Sequence, residues 1–128
     1  MKISDFIINN NIASVLEKEV IISDRFVDEE GNILPFKIRN ISSKELADIH
    51  RLIGENKHLA DAHIVAKCCI EPNFKSVELQ NHFNLLNDVD LIEKVLLVGE
   101  INKLSIAILK LSGYDKSFEG LVQEAKKH

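Results

Sequence analysis

Histidine and cysteine side chains are the groups in this chain best suited to hold a metal ion, but their spacing does not suit one site. His58 and His63 are five residues apart, as are His63 and Cys68, which puts each pair on different sides of a helix. Zinc sites use closer pairs such as CxxC or HxxxH, and the sequence contains neither. We expect no metal or cofactor, with Cys69 in the core, Cys68 at its boundary and the histidines on the surface.

Acidic side chains are the other candidates for chemistry, because general acid–base catalysis needs carboxylates paired in a cleft. Asp28, Glu29 and Glu30 instead precede Gly31 and Asn32, a pattern typical of a solvated turn. The sequence also lacks the GxSxG nucleophile motif and the glycine-rich phosphate loops. We predict that the protein is not an enzyme; a small hydrolase would need a catalytic constellation that the sequence does not display.

Composition narrows the class of protein further. The 128 residues suit a single domain, 1–128, and with 45% hydrophobic residues and no Trp the core is built from aliphatic side chains. The net charge of -4 argues against binding to nucleic acid, which requires a basic surface. The longest apolar run, residues 95–98, is too short to span a membrane, and adjacent cysteines favour a reducing compartment. We expect a cytoplasmic protein that binds neither nucleic acid nor membrane.

The elements that position these side chains follow from hydrophobic periodicity. Residues 1–18 are predicted as a helical arm with few tertiary anchors. The asparagines at 9–11 are predicted to break its helix, with one or two further helical turns around Ile12, Val15 and Leu16. Residues 19–40 are predicted as a two-stranded antiparallel β-hairpin with its turn at 28–32. Because Pro35 has no N–H to donate, the return strand is predicted to be an edge strand or to carry a bulge.

Residues 42–126 are predicted as the helical body, in which no further strand is expected. Ser42 and Glu45 form the pattern of a capping box, and glycines or a proline end several of the apolar stripes. The predicted helices begin near Ser42, His58, Ser76, Asn87, Glu100 and Ser117, and the second of them is predicted to reach Ile70. The predicted fold class is therefore mainly α, a bundle of about five helices with an N-terminal two-stranded antiparallel β-hairpin.

Two regions are candidates for binding another protein. The hairpin edge around Phe26 and Phe36 could pair with a partner strand or could be a structural flap. Residues 95–111 are apolar on more than one side, which is typical of a helix that lies centrally in a bundle or at an interface. Leu97 and Ile106 lie outside the main apolar stripe of this segment. We therefore predict that Phe26, Phe36, Leu97 and Ile106 contact a partner.

The chain resembles the XkdN-like tail assembly chaperones of phages and prophages of Gram-positive bacteria. The resemblance extends over nearly the whole sequence, and its most specific stretch is residues 69–80, CIEPNFKSVELQ. The other matching stretches, in order, are ISDFIINN (3–10), ISDRF (22–26), DEEGN (28–32), PFKIR (35–39), LLVGE (96–100) and SGYD (112–115). Their order and spacing together carry the resemblance.

The resemblance implies a non-catalytic function. Such chaperones are thought to coat the long, hydrophobic tape measure protein in the host cytoplasm, to give way as tail tube protein polymerises around it, and to be absent from the mature virion. It thus implies the tape measure protein as partner, with self-association and contact with tail tube protein as further expectations. The alternative is a regulatory DNA- or protein-binding protein of a prophage; a DNA-binding regulator would require a basic recognition helix.

Overall fold

A computed structural model describes residues 1–12 and 14–114, and these form six α-helices and three short strands. The elements in chain order are α1 (Ile3–Asn9), β1 (Glu17–Val20), β2 (Phe36–Arg39), α2 (Ser43–Ile53), a 3-10 turn (Lys57–Leu59), α3 (Ala60–Cys68), β3 (Cys69–Glu71), α4 (Val77–His82), α5 (Asp88–Val95) and α6 (Val98–Leu111). The prediction of a mainly α fold is confirmed. The helix predicted from Ser117 lies outside the described residues.

The sheet has three strands, which corrects the prediction of a two-stranded hairpin. Strand β1 pairs antiparallel with β2, and β2 pairs antiparallel with β3 in the order β1-β2-β3. The sequence prediction placed Cys69 and Ile70 at the end of a helix, but α3 ends at Cys68. A three-residue strand is too short to show alternation, and its pairing with β2 is a long-range interaction, so local periodicity does not reveal it.

Strand β2 is central in the sheet, so of the two alternatives predicted for it, an edge strand or a bulge, the edge strand is wrong. Phe36 and Ile38 are buried, whereas Lys37 and Arg39 are partly exposed on the other face. Pro35 precedes the first residue of the strand and therefore interrupts no ladder. The predicted irregularity is present as a register shift against β3 between Lys37 and Ile38.

The first helix of the N-terminal arm ends at the predicted break, but the helical turns predicted after that break are absent from residues 14–16. Helix α1 stops at Asn9, and none of its residues is buried. Residues 14–16 are not helical, because Asn40 holds them against the end of β2: its side chain accepts from the Leu16 N–H at 2.8 Å and donates to the Ser14 carbonyl at 3.1 Å. The chain thus enters the fold at Ser14 rather than at residue 19.

The helical body forms around α3, which packs against α2, α5 and α6. Small side chains such as Ala62 and Ala66 are buried on α3, and they allow the neighbouring helices to approach closely. The prediction that Cys68 lies at the core boundary is wrong: its thiol is fully buried. Burial of each large aliphatic side chain contributes roughly 1.5–3 kcal/mol to stability, so this contact region holds the body together.

Three helices of the helical body begin at the capping residues predicted from the sequence. Ser42 accepts from the Glu45 N–H at 3.2 Å, and the Glu45 carboxylate accepts from the Ser42 N–H at 3.1 Å, which confirms the capping box. Ser76 and Asn87 cap α4 and α5. The last described helix begins earlier than predicted, at Val98, so that Gly99 lies inside its first turn.

Candidate protein-binding surface

A buried carboxylate joins the loop between β1 and β2 (residues 21–35) to the start of α6. Glu100 is only 4% exposed, and its carboxylate accepts from Arg25 Nε at 2.9 Å and from Arg25 Nη2 at 2.5 Å. The same carboxylate accepts from the Leu97 N–H at 2.7 Å, an amide at the helix start that has no partner within the helix. The hydrogen bonds from Arg25 lower the pKa of Glu100 to about 2, although burial acts in the opposite direction. Glu100 is therefore ionised and paired at neutral pH.

The Arg25 guanidinium extends this network into the sheet. Its Nη2 also donates to the Val95 carbonyl at 3.2 Å, and the guanidinium lies 4.9 Å from the centre of the Phe26 ring, a cation–π geometry. The Phe26 ring meets the Phe36 ring edge to face, with centroids 5.2 Å apart. A chain of contacts therefore runs from α6 through the loop to the central strand, and it fixes the loop relative to the helix.

The fixed loop and the start of α6 form an open groove of about 540 Å³. Its apolar wall includes Ile21, Ile33 and Leu97, all of which are exposed. Leu97 is 58% exposed at the position immediately before α6. Clustered exposed apolar side chains on a folded protein mark sites of interaction with other macromolecules, so this groove is the candidate protein-binding site.

The four residues predicted from the sequence to contact a partner lie at different depths. Leu97 and Ile106 are exposed, the latter by 44%. Phe26 is partly buried against the core, and Phe36 is only 4% exposed. The two phenylalanine rings therefore support the surface from below, Leu97 lines the groove, and Ile106 is exposed on another side of α6, outside the groove.

Sequence reasoning missed the side chains that organise this surface. Arg25 and Glu100 are distant in sequence, and no local pattern joins them. One indication was available: an acidic residue three positions after a candidate N-terminal residue is typical of a helix start, and Glu100 stands in that relation to Leu97. The contribution of Ile21 and Ile33 depends on the path of the loop and could not be inferred from spacing.

The acidic residues at 28–30 form the predicted turn. The Asp28 carboxylate accepts from the N–H groups of Glu30 and Asn32, each at 2.9 Å. The hydrogen bond from the Asn32 backbone is the largest of the causes that lower the pKa of Asp28. Gly31 adopts a φ of 85°, which favours glycine. Asp28 therefore stabilises its own turn.

The cysteines are not suited to nucleophilic chemistry. Both are free thiols and both are buried, and burial raises the pKa of Cys68 to about 11 and that of Cys69 to about 12. A thiol must ionise to act as a nucleophile or metal ligand. Within residues 1–12 and 14–114, no cluster of three or more His, Cys, Asp or Glu residues could hold a metal ion. In the same part of the chain, no helix is both long and apolar enough to cross a membrane.

The fold is mainly α with a small antiparallel sheet. An open apolar groove lies where the loop between β1 and β2 meets the start of α6. A family model described as phage XkdN-like tail assembly chaperone protein matches residues 3–126, and the chain belongs to that family. The resemblance noted from the sequence is thus confirmed.

Two proteins of Bacillus subtilis (strain 168) illustrate the relationship. The protein YqbN is 33% identical over 125 residues, which cover 86% of this chain and 83% of YqbN. The phage-like element PBSX protein XkdN is 30% identical over 125 residues, covering 86% of this chain and 84% of XkdN. The crystal structure of YqbN superposes with a TM-score of 0.72 at 27% identity and covers 90% of this chain and 98% of that chain.

Proposed function

We propose that this protein is a non-catalytic phage tail assembly chaperone that binds the tape measure protein and keeps it soluble until the tail tube polymerises. The observation that carries the proposal is the apolar surface exposed in the groove at Leu97 and, on another side of α6, at Ile106, in a member of a tail assembly chaperone family. A chaperone of a hydrophobic client needs such a surface and needs no reactive group.

The proposal includes where the protein acts. It binds its client in the host cytoplasm, self-associates along the client, is displaced as tail tube protein assembles, and is absent from the mature virion. The net charge of -4 supports this role, because charge keeps a complex with an apolar client soluble.

Co-expression with the tape measure protein of the same phage or prophage tests the proposal. We expect the two proteins to copurify and the soluble yield of the tape measure protein to rise. The double variant Leu97→Ser and Ile106→Ser should weaken binding by about tenfold or more, since each lost apolar contact is worth on the order of 1 kcal/mol. The substitution at position 97 should leave folding intact, because serine is a favoured residue immediately before a helix.

The matched control is the double variant Val77→Ser and Leu86→Ser, which removes two exposed apolar side chains elsewhere on the surface. We expect this control to copurify like the unmodified protein. The proposal fails if the tape measure protein neither copurifies nor gains solubility. The assignment of the surface fails if both double variants lose binding equally.

A further inference from the structure

A second apolar groove, of about 350 Å³, lies between the start of α2 and the end of α6. Its apolar lining consists of Ile41, which is buried, Leu46, which is half-buried, and Tyr114, which is exposed. The other residues that line it are small, namely Ser42, Ser43, Ser112 and Gly113. We call this cavity the α2–α6 groove. It is distinct from the groove at Leu97, because the two share no lining residue.

The last described residues form one side of the α2–α6 groove. After α6, Gly113 adopts a φ of 102°, and the Tyr114 N–H donates to the Leu109 carbonyl at 3.0 Å, as in the turn that commonly ends a helix at a glycine. The Ser112 hydroxyl oxygen accepts from the Ile41 N–H at 2.9 Å, which ties this turn to the chain that precedes α2. The residues after Tyr114 therefore start from the edge of the groove.

The sequence that follows carries a single apolar stripe. It predicts a helix from Ser117, a segment that lies outside the described residues. The apolar side chains are spaced i, i+3, i+4 and i+7, and at 3.6 residues per turn they fall within an arc of about 100°; they are Phe118, Leu121, Val122 and Ala125. The family model extends through this segment to residue 126.

The connection to the stripe is short enough to bring it to the groove. Residues 115–117 separate Tyr114 from Phe118, so the two are at most about 14 Å apart along a fully extended chain. A helix over residues 117–126 would be about 15 Å long. Because most of the stability of an amphipathic helix comes from packing of its apolar face, this segment needs an apolar surface within reach, and the α2–α6 groove is one.

We propose that residues 117–126 pack as an amphipathic helix into the α2–α6 groove of the same chain, with Phe118 and Leu121 against Leu46 and Tyr114. The occupant is the segment of the same chain rather than that of a second copy, because a short connection gives an effective concentration in the millimolar range. The inference goes beyond the proposed function and does not depend on it. It leaves the groove at Leu97 as the one available to a client.

Tyr114 reports directly on the occupancy of the α2–α6 groove, because it is the one tyrosine in a chain without Trp. Its side chain is 62% exposed, and a helix in the groove would cover it. Quenching of tyrosine fluorescence by acrylamide in the full chain measures this cover. We expect the double variant Phe118→Ser and Leu121→Ser to raise the quenching constant roughly two- to threefold, because a side chain that loses its packing contacts regains access to solvent.

The matched control is the double variant Gln123→Ser and Lys127→Ser, since both positions fall on the side of the predicted helix opposite to the apolar stripe. It should be quenched like the unmodified protein. Ser43→Glu tests the groove from its other side. Ser43 is an exposed lining residue at the first position of α2, where an acidic residue suits the helix start but places a charge in an apolar groove. We expect this variant to raise the quenching constant as well.

Nuclear Overhauser contacts identify the segment that covers Tyr114. We expect contacts between the Phe118 ring and the Leu46 methyl groups in the unmodified protein and in the control. The inference is overturned if these contacts are absent, if neither Phe118→Ser with Leu121→Ser nor Ser43→Glu changes the quenching, or if the control changes it equally. Quenching that falls as protein concentration rises, together with a doubled mass in light scattering, would assign the groove to a second copy and overturn the intramolecular contact.

Discussion

At the scale of single residues, Glu100 is the charged group on which the candidate surface depends. Its carboxylate is almost fully removed from water, and burial of an ion is costly unless it is paired and hydrogen-bonded. Arg25 and the Leu97 N–H supply those bonds. The same carboxylate thus satisfies the helix start and fixes the loop that forms one wall of the groove.

The variant Glu100→Gln tests this role through its pH dependence. The pKa of Glu100 is about 2 in the folded protein, below the ordinary value of about 4.3. A lowered pKa stabilises the folded state above the unfolded value, and this stabilisation is lost as the pH falls from about 5 to 2. We expect the variant to lose on the order of 2 kcal/mol of unfolding free energy at pH 7, with the difference vanishing near pH 2.

Urea unfolding followed by far-UV circular dichroism at several pH values measures this difference. Glu93→Gln is the control, because Glu93 is exposed on the neighbouring helix α5. A constant difference between Glu100→Gln and the unmodified protein from pH 7 to pH 2 would show that the charge of Glu100 does not stabilise the fold.

At the scale of elements, the sheet joins two segments predicted from the sequence as distinct, the hairpin and the helical body. The central strand β2 pairs with β1 on one side and with β3, which follows α3 directly, on the other. The hairpin is therefore built into the helical body. Helix α1 is the contrasting element, since none of its residues is buried and the chain enters the fold only at Ser14.

Deletion of residues 1–10 should consequently leave stability almost unchanged. We expect the free energy of unfolding to change by less than about 0.5 kcal/mol, the range of surface changes that touch no core residue. Phe36→Ala provides the comparison, since loss of a buried phenylalanine costs about 3–5 kcal/mol. A loss above about 1 kcal/mol on deletion, measured by urea unfolding, would mean that α1 contributes to the folded core.

At the scale of the whole molecule, two of the long-range connections between the hairpin and the helical body are of different kinds. One is the β2–β3 pairing, and the other is the bond between Arg25 and Glu100. The core is continuous through them, because Phe36 and Ile38 of the sheet belong to the same buried cluster as Leu104 and Ile108 of α6. The prediction of a single domain over 1–128 is consistent with this continuity but stays a prediction.

Cooperative unfolding tests that prediction. We expect one urea transition, in which the amide resonances of Ile38 in the sheet and Leu104 in α6 disappear at the same denaturant concentration as the helical circular dichroism signal. Separate midpoints for the sheet and the helices would show that the hairpin folds as an independent unit.

The sequence by itself determined the structural features that depend on residues close together in the chain. The capping box at Ser42 and Glu45, the caps at Ser76 and Asn87, and the turn at Gly31 each depend on residues a few positions apart, and the structure confirms them. The family was also evident from the order of its motifs.

Tertiary structure alone decided the features that join distant residues. Strand β3, the central position of β2 and the pairing of Arg25 with Glu100 depend on contacts between segments far apart in sequence. The difference in burial between Phe36 and Leu97 was also decided by tertiary structure. Both side chains are apolar, and only packing determines which of them is covered. The sequence thus predicted which side chains could meet a partner, and long-range packing decided which of them reach the surface.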